Sequence, residues 1–129
     1  MMSHAPVQRN LESTEEEALH CGDKLRARFK MLFSADRTAT DSLTCGVASV
    51  SPEEPLPLHR HAHSEVYFGL AGTARVKVGA EDFLLSEGTA LFIPGNVEHA
   101  VHSDGPASFF FAFAADSYSD VQYVYLDED

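Results

Sequence analysis

The chain has 129 residues, of which 44% are hydrophobic, and its nine Phe and four Tyr are enough to fill a core. This length and composition indicate one folded domain and exclude a disordered chain. The formal net charge of −11 excludes nucleic acid and anionic membranes as expected partners, because such a surface repels phosphate groups.

No stretch approaches the ~20 apolar residues of a membrane span. The start of the sequence, "MMSHAPVQRNLESTEEE", lacks the apolar segment of a secretory signal. Two cysteines, Cys21 and Cys45, are too few for a disulfide framework. We therefore expect a cytoplasmic protein with reduced thiols.

The first predicted element is a short helix in "STEEEALHCG", residues 13–22. Ser13 with Glu16, or Thr14 with Glu17, has the spacing of a capping box. Gly22 suits the position at which such a helix stops.

A strand is predicted next, in "KLRARFKMLF", where apolar residues alternate with Arg and Lys from position 24 to 33. The basic face is either solvated or used for self-association with acidic residues. Because a lone edge strand of this length invites pairing with another chain, we expect a homodimer with residues 25–33 near the interface.

The remaining sequence reads as short strands separated by turns. A loop, "SADRTATD", precedes the strand "SLTCGVASV", and a Pro-rich turn, "SPEEPLP", follows it. Regularly spaced short strands predict an all-β sandwich or barrel. The stretch "SFFFAF" is apolar on both faces, which suits a strand buried between two layers. The predicted apolar runs are 58–61, 66–70, 74–78, 83–85, 90–93, 99–103, 108–113 and 121–126.

Histidines concentrate in two windows, and the first is "HRHAHSE" at 59–65. His59 and His61 are two positions apart, so on a strand they share a face. Imidazole is a ligand for Zn, Cu, Fe and Ni, and the carboxylate of Glu65 adds a harder oxygen ligand. His99 is a fourth candidate, delivered by a strand that follows a tight turn. These four residues form a candidate metal site.

Two motifs resemble those of the cupin family: His59-x-His61-x3-Glu65-x6-Gly72 and Gly88-x5-Pro94-x4-His99. The resemblance covers roughly residues 43–115. Asn96 stands where the second motif usually has glycine, but Asn tolerates the left-handed backbone conformation, so the turn can survive. Ser103 stands four positions after His99, where the second motif often has an Asn. Neither departure affects a predicted metal ligand.

The resemblance implies a cupin double-stranded β-helix, or jelly-roll, barrel over residues 25–126, preceded by an extension over residues 1–24 that holds the short helix. It also implies one divalent transition metal, Fe, Mn, Ni, Co or Zn, held by three His and one Glu. Such a ligand set leaves open coordination sites for catalysis. His63 and His102 do not fit the motifs and are interpreted as surface residues or supports of the site.

Tyr67 lies two positions after Glu65, so it should point into the same cavity and is a candidate general base. With "FKMLFSAD" and "YSDVQYVY", the sequence is similar to small cupin-type dimethylsulfoniopropionate lyases of marine bacteria. That resemblance implies proton abstraction by Tyr67 and elimination to acrylate and dimethyl sulfide. Tyr123 matches a late pocket tyrosine of those lyases, and Tyr123 and Phe92 are the expected aromatics that bind the substrate's sulfonium by cation–π attraction. Those lyases often carry a tryptophan on a late strand, where this chain has "FFFAF" and no tryptophan.

Three other functions use the same ligands or the same fold. A cupin dioxygenase would need Fe(II) or another redox metal and a site for oxygen. An isomerase or cyclase would use the metal as a Lewis acid on a small carbonyl or sugar compound. A non-catalytic cupin would only bind a small ligand. The fold and the ligand set do not decide among them.

Overall fold

The structure is a computed structural model that describes residues 5–21 and 24–126, with the side chains of residues 20–25 left undescribed. This part of the chain forms eleven β-strands and one short 3-10 helix, Tyr118–Asp120. The strands are β1 (Glu17–Cys21), β2 (Lys24–Phe33), β3 (Thr44–Val50), β4 (Leu56–Arg60), β5 (Glu65–Ala71), β6 (Thr73–Val78), β7 (Glu81–Ser86), β8 (Ala90–Ile93), β9 (His99–Ser103), β10 (Ala107–Phe113) and β11 (Val124–Tyr125).

Two sheets form the barrel, and all the strand pairs described are antiparallel. One sheet has the order β1-β2-β3-β10-β5-β8, and the other has the order β11-β4-β9-β6-β7. The all-β jelly-roll prediction is confirmed. Within the described residues, no helix is long and apolar enough to cross a membrane.

The core lies between the two sheets and follows the period-two alternation of the strands. Tyr67, Val76, Val101 and Phe109 are almost completely buried there. Six predicted runs, from 66–70 to 108–113, fall inside observed strands. The predicted run 121–126 is a strand only at Val124–Tyr125. The 3-10 helix ends just before this run, at Asp120.

The predicted N-terminal helix is wrong, because residues 17–21 form strand β1. Glu17 pairs with Phe29 of β2 in an antiparallel ladder. The Thr14 hydroxyl donates to the Asn10 carbonyl oxygen instead of capping a helix. So short a helix would gain few internal hydrogen bonds, whereas pairing with a ten-residue strand satisfies the backbone. The predicted stop at Gly22 and the side chain of Cys21 lie outside the described residues.

The interpretation of β2 as an edge strand is also wrong, because β2 lies between β1 and β3. Two of its cations, Arg28 and Lys30, contact groups of the same chain. Arg28 lies 3.1 Å from Glu54 and 3.5 Å from Glu16, and the Lys30 Nζ donates to the Leu11 carbonyl oxygen at 3.0 Å. The edge-strand argument for placing residues 25–33 at a dimer interface therefore no longer applies.

Candidate metal centre

The predicted ligands come from strands β4, β5 and β9 and from the residue after β4. His59 on β4 lies directly opposite His99 on β9, with ring centroids 4.1 Å apart. His61 follows the end of β4, and its ring centroid is 4.9 Å from that of His99. Glu65 begins β5. All four side chains are buried, and one nitrogen from each of the three His lies within 4.8 Å of the others.

Each histidine of this site has a defined orientation and tautomer. In each ring the Nδ1 atom contacts a carbonyl oxygen two residues away, and a carbonyl can only accept, so Nδ1 carries the proton. In the neutral ring, Nε2 is then left with its lone pair free to bind a metal. The acceptors for His59, His61 and His99 are the carbonyls of Pro57, His63 and Val97, at 2.7, 2.9 and 2.9 Å.

Burial keeps His59 in the neutral form that a metal requires. Exclusion of water and the proximity of His99 and His61 lower the pKa of His59 to about 3. A protonated imidazole cannot act as a ligand, so this environment prepares His59 for metal binding near neutral pH.

Four buried atoms at the centre of the site lack a hydrogen-bond partner: Nε2 of His59, His61 and His99, and Oε1 of Glu65. The Glu65 oxygen lies 3.3 Å from Nε2 of both His61 and His99. Two ligands about 2.1 Å from an ion and at right angles to each other lie about 3 Å apart. Leaving such atoms unpaired is costly, so the donors, their spacing and their lack of partners all fit a transition metal.

A tight turn holds the segment that contains His61. The Asn96 backbone N–H donates to the His61 carbonyl oxygen at 2.7 Å. Asn96 has a φ of 65°, so it adopts the left-handed conformation expected from the sequence. Gly95 packs so closely that a Cβ atom there would overlap the Ala62 carbonyl oxygen. The turn therefore requires Gly95, and it tolerates Asn at 96.

Aromatic side chains surround a small cavity next to Glu65. Tyr67 is 1% exposed and lines this cavity beside Glu65. Burial and the Glu65 carboxylate raise the pKa of Tyr67 well above its ordinary value. Tyr123 stacks on His59 with centroids 4.7 Å apart, and its ring centroid lies 6.0 Å from that of Tyr118.

The sequence interpretation missed Tyr118, although it begins the stretch "YSDVQYVY". Its backbone N–H donates to the buried Ser34 hydroxyl at 2.9 Å, and its ring lies 5.3 Å from that of Phe29. These contacts with residues far away in the chain place Tyr118 at the cavity. The other residues lining the cavity include Leu19, Phe109 and Phe111.

The structure does not bring Phe92 to this cavity. Phe92 is 62% exposed on the outer side of β8, while its neighbour Ile93 is fully buried. Alternation along the strand explains the error, so we withdraw Phe92 as a substrate-binding residue. His63 contributes a backbone carbonyl to His61, and His102 is half-buried on β9 opposite Arg75.

The sequence is similar to that of a curated lyase. The dimethylsulfoniopropionate lyase DddW of Ruegeria pomeroyi is 33% identical over 98 residues, covering 74% of this chain and 64% of the lyase. The chain thus spans less than two thirds of that relative's length.

Similar folds occur in enzymes of different activity. A chain from the crystal structures of the DMSP lyases RdDddP and RnDddQII has a TM-score of 0.74 and 22% identity, covering 88% of this chain and 63% of that chain. The structure of the polyketide cyclase RemF from Streptomyces resistomycificus has a TM-score of 0.79 and 18% identity, covering 97% of this chain and 89% of the cyclase chain. At these identities the likeness shows the fold alone. The Cupin domain model matches residues 46–113, more than half of the sequence, and the chain belongs to the cupin family.

Proposed function

We propose that the chain is a metal-dependent cupin enzyme that acts on a small carboxylate, and that its reaction is cleavage of dimethylsulfoniopropionate to acrylate and dimethyl sulfide. The observation that carries this proposal is the group of four unpartnered ligand atoms beside the buried Tyr67. The likeness to DddW supports the choice of substrate.

His59, His61, Glu65 and His99 would hold one dication, which we propose to be Fe, Mn, Ni, Co or Zn. When bound, it would supply a positive charge that attracts the substrate carboxylate and favours the phenolate form of Tyr67. Tyr67 lines the same cavity as Glu65, and its ring centroid lies 6.2 Å from that of His99, so the phenol is beside the ligands.

In the proposed reaction, Tyr67 in its phenolate form takes the proton from the carbon next to the substrate carboxylate and becomes a neutral phenol. The electron pair of that C–H bond forms the carbon–carbon double bond of acrylate. The carbon–sulfur bond breaks, and its pair stays on sulfur, which leaves as neutral dimethyl sulfide. A positioned base of this kind accelerates such a step by ~10²–10⁴.

The sulfonium group would lie against aromatic faces, because a cation is attracted to the electron-rich face of a ring. Tyr123, Phe109 and Phe111 line the cavity and offer such faces in a chain without tryptophan. The cavity holds about 30 Å³, which is room for a few water molecules at most. Substrate entry therefore requires side chains at its border, such as Leu19 and Phe29, to move apart.

The test is the detection of dimethyl sulfide in the headspace above metal-reconstituted protein and dimethylsulfoniopropionate, with acrylate measured in solution. The proposal predicts equal amounts of both products. His61→Gln should abolish them, whereas His102→Gln, outside the site, should leave them unchanged. Absence of both products with each of the five metals would overturn the assignment.

A dioxygenase is the main alternative, since the same ligands leave open positions on an iron ion. Oxygen uptake with candidate diketones, thiols and catechols would favour it over the lyase. Other Lewis-acid chemistry and ligand binding without catalysis are further alternatives. The cytoplasmic location and the homodimer stay predictions.

A further inference from the structure

The outer face of strands β3, β10, β5 and β8 in the six-stranded sheet is apolar, although solvent would favour polar residues there. On β5, the exposed positions Val66, Phe68 and Leu70 alternate with buried ones and are 40%, 41% and 37% exposed. Phe92 on β8 pairs across from Val66 and is 62% exposed. An antiparallel sheet with one wet face normally alternates apolar inside with polar outside. Strand β5 instead carries apolar side chains on its outer face as well, at Val66, Phe68 and Leu70.

The neighbouring strands continue the same surface. Phe110 on β10 lies opposite both Phe68 on β5 and Val47 on β3. The sequence of β10 is apolar on both sides, yet its outer side is only half-buried. We call the outward positions of these four strands the apolar face; they are Ala90, Phe92, Val66, Phe68, Leu70, Ser108, Phe110, Ala112, Cys45, Val47 and Ser49.

The apolar face carries no charge, in a chain with twenty Asp and Glu and nine Lys and Arg. Within the described residues, the N-terminal segment covers only its flank, where the Lys30 Nζ binds the Leu11 carbonyl oxygen and Val47 is buried. Nothing else in the described chain covers Phe68 or Phe92, which are exposed.

The size of the apolar face fits the core of a protein interface. At roughly 150–200 Å² per large side chain, the exposed fractions of Val66, Phe68, Leu70 and Phe92 amount to roughly 300 Å². This area matches the largest apolar patch of a typical monomer, about 300–600 Å², which often has a function. A stable interface buries about 800 Å² on each partner, so the half-buried positions and the surrounding loops would supply the rest.

We propose that the apolar face binds the apolar face of a second copy of this chain, related by a two-fold axis. Two copies that each carry −11 repel each other over most of their surfaces, so contact is favoured where no carboxylate lies. A two-fold interface uses the same patch on both subunits, and an uncharged patch meets its own copy without like-charge repulsion. Pairing through the β8 edge is disfavoured, because β8 has four residues and Pro94 follows it.

The test is sedimentation equilibrium of the whole chain, comparing wild type with the double variant Phe68→Lys/Phe92→Lys. We expect a wild-type dimer at micromolar concentration and a dissociation constant at least ~30-fold higher in the variant, since each substitution occurs twice in a symmetric interface. Lysine lowers the net negative charge, so charge repulsion alone would predict tighter association. Leu84→Lys is the matched control, because Leu84 is 66% exposed on β7 of the other sheet and should leave the dimer intact.

Salt gives a second readout. An apolar contact between two acidic chains should tighten as added salt screens their repulsion, whereas an interface held by ion pairs should weaken. Circular dichroism and metal content should confirm that the variants fold. A monomeric wild type, or dissociation by Leu84→Lys but not by the double variant, would overturn the proposal. A monomer that binds neutral phosphatidylcholine vesicles through Phe92 would also overturn it and assign the face to lipid.

Discussion

Acidification of the metal-free protein should destabilise it through His59. The folded protein holds this ring neutral, with its pKa lowered to about 3, whereas the unfolded chain binds a proton below about 6.5. The contribution of His59 to the free energy of unfolding is therefore fully present above pH 6.5. It is lost as the pH falls toward 3, because the unfolded state binds more protons than the folded state. The pKa of His59 differs by about 3.5 between the unfolded and the folded state, which corresponds to about 5 kcal/mol at 1.36 kcal/mol per pH unit. At pH 5, about 2 kcal/mol of this contribution is lost.

The assay is urea unfolding of chelator-treated protein at pH 7.5 and pH 5, for wild type and His59→Gln. This window lies above the ordinary pKa of carboxyl groups, so histidine dominates it. We expect the free energy of unfolding to fall by about 2 kcal/mol more in wild type than in His59→Gln. His102→Gln leaves His59 intact and should behave like wild type. Equal losses in wild type and His59→Gln would refute the neutral, buried state of His59.

Three substitutions test the site further. Tyr67→Phe keeps the ring and removes the ionisable oxygen, so turnover should fall by ~10²–10⁴ while metal content and thermal stability stay near wild type. If that variant keeps full activity on the true substrate, Tyr67 lines the cavity without acting as the base, and Tyr123 is the next candidate base. His61→Gln should lose metal and activity together, and bound metal at the wild-type level by plasma mass spectrometry would count against it as a ligand. Gly95→Ala should lower stability by roughly 1–3 kcal/mol and weaken metal binding, because its Cβ would overlap a backbone oxygen. Gly105→Ala is the control, as a Cβ there meets nothing within 4 Å, and an equal loss in both variants would exclude the steric explanation.

The ligand histidines could be found from sequence because their signal is a spacing. His59 and His61 lie two apart at the end of β4, and Pro94 followed by a turn precedes His99 on β9. The hydrogen bonds that fix the three rings are also local, since each acceptor carbonyl lies two residues from its histidine.

Features that depend on distant partners could not be found in the same way. A capping pattern at Ser13 and Glu16 suggested a helix, but β2 was available to pair with this segment. Phe92 was assigned to the pocket by its residue type, although its neighbour Ile93 occupies the inward position. Tyr118 reaches the cavity through the Ser34 loop, and no local pattern reports that contact.

The most direct test of the metal centre is an anomalous difference map from a crystal of the metal-reconstituted protein. We predict one peak, ~2.0–2.4 Å from Nε2 of His59, His61 and His99 and from a carboxylate oxygen of Glu65. A peak bound elsewhere, or a fully loaded crystal in which His99 points away from His59 and His61, would contradict the account.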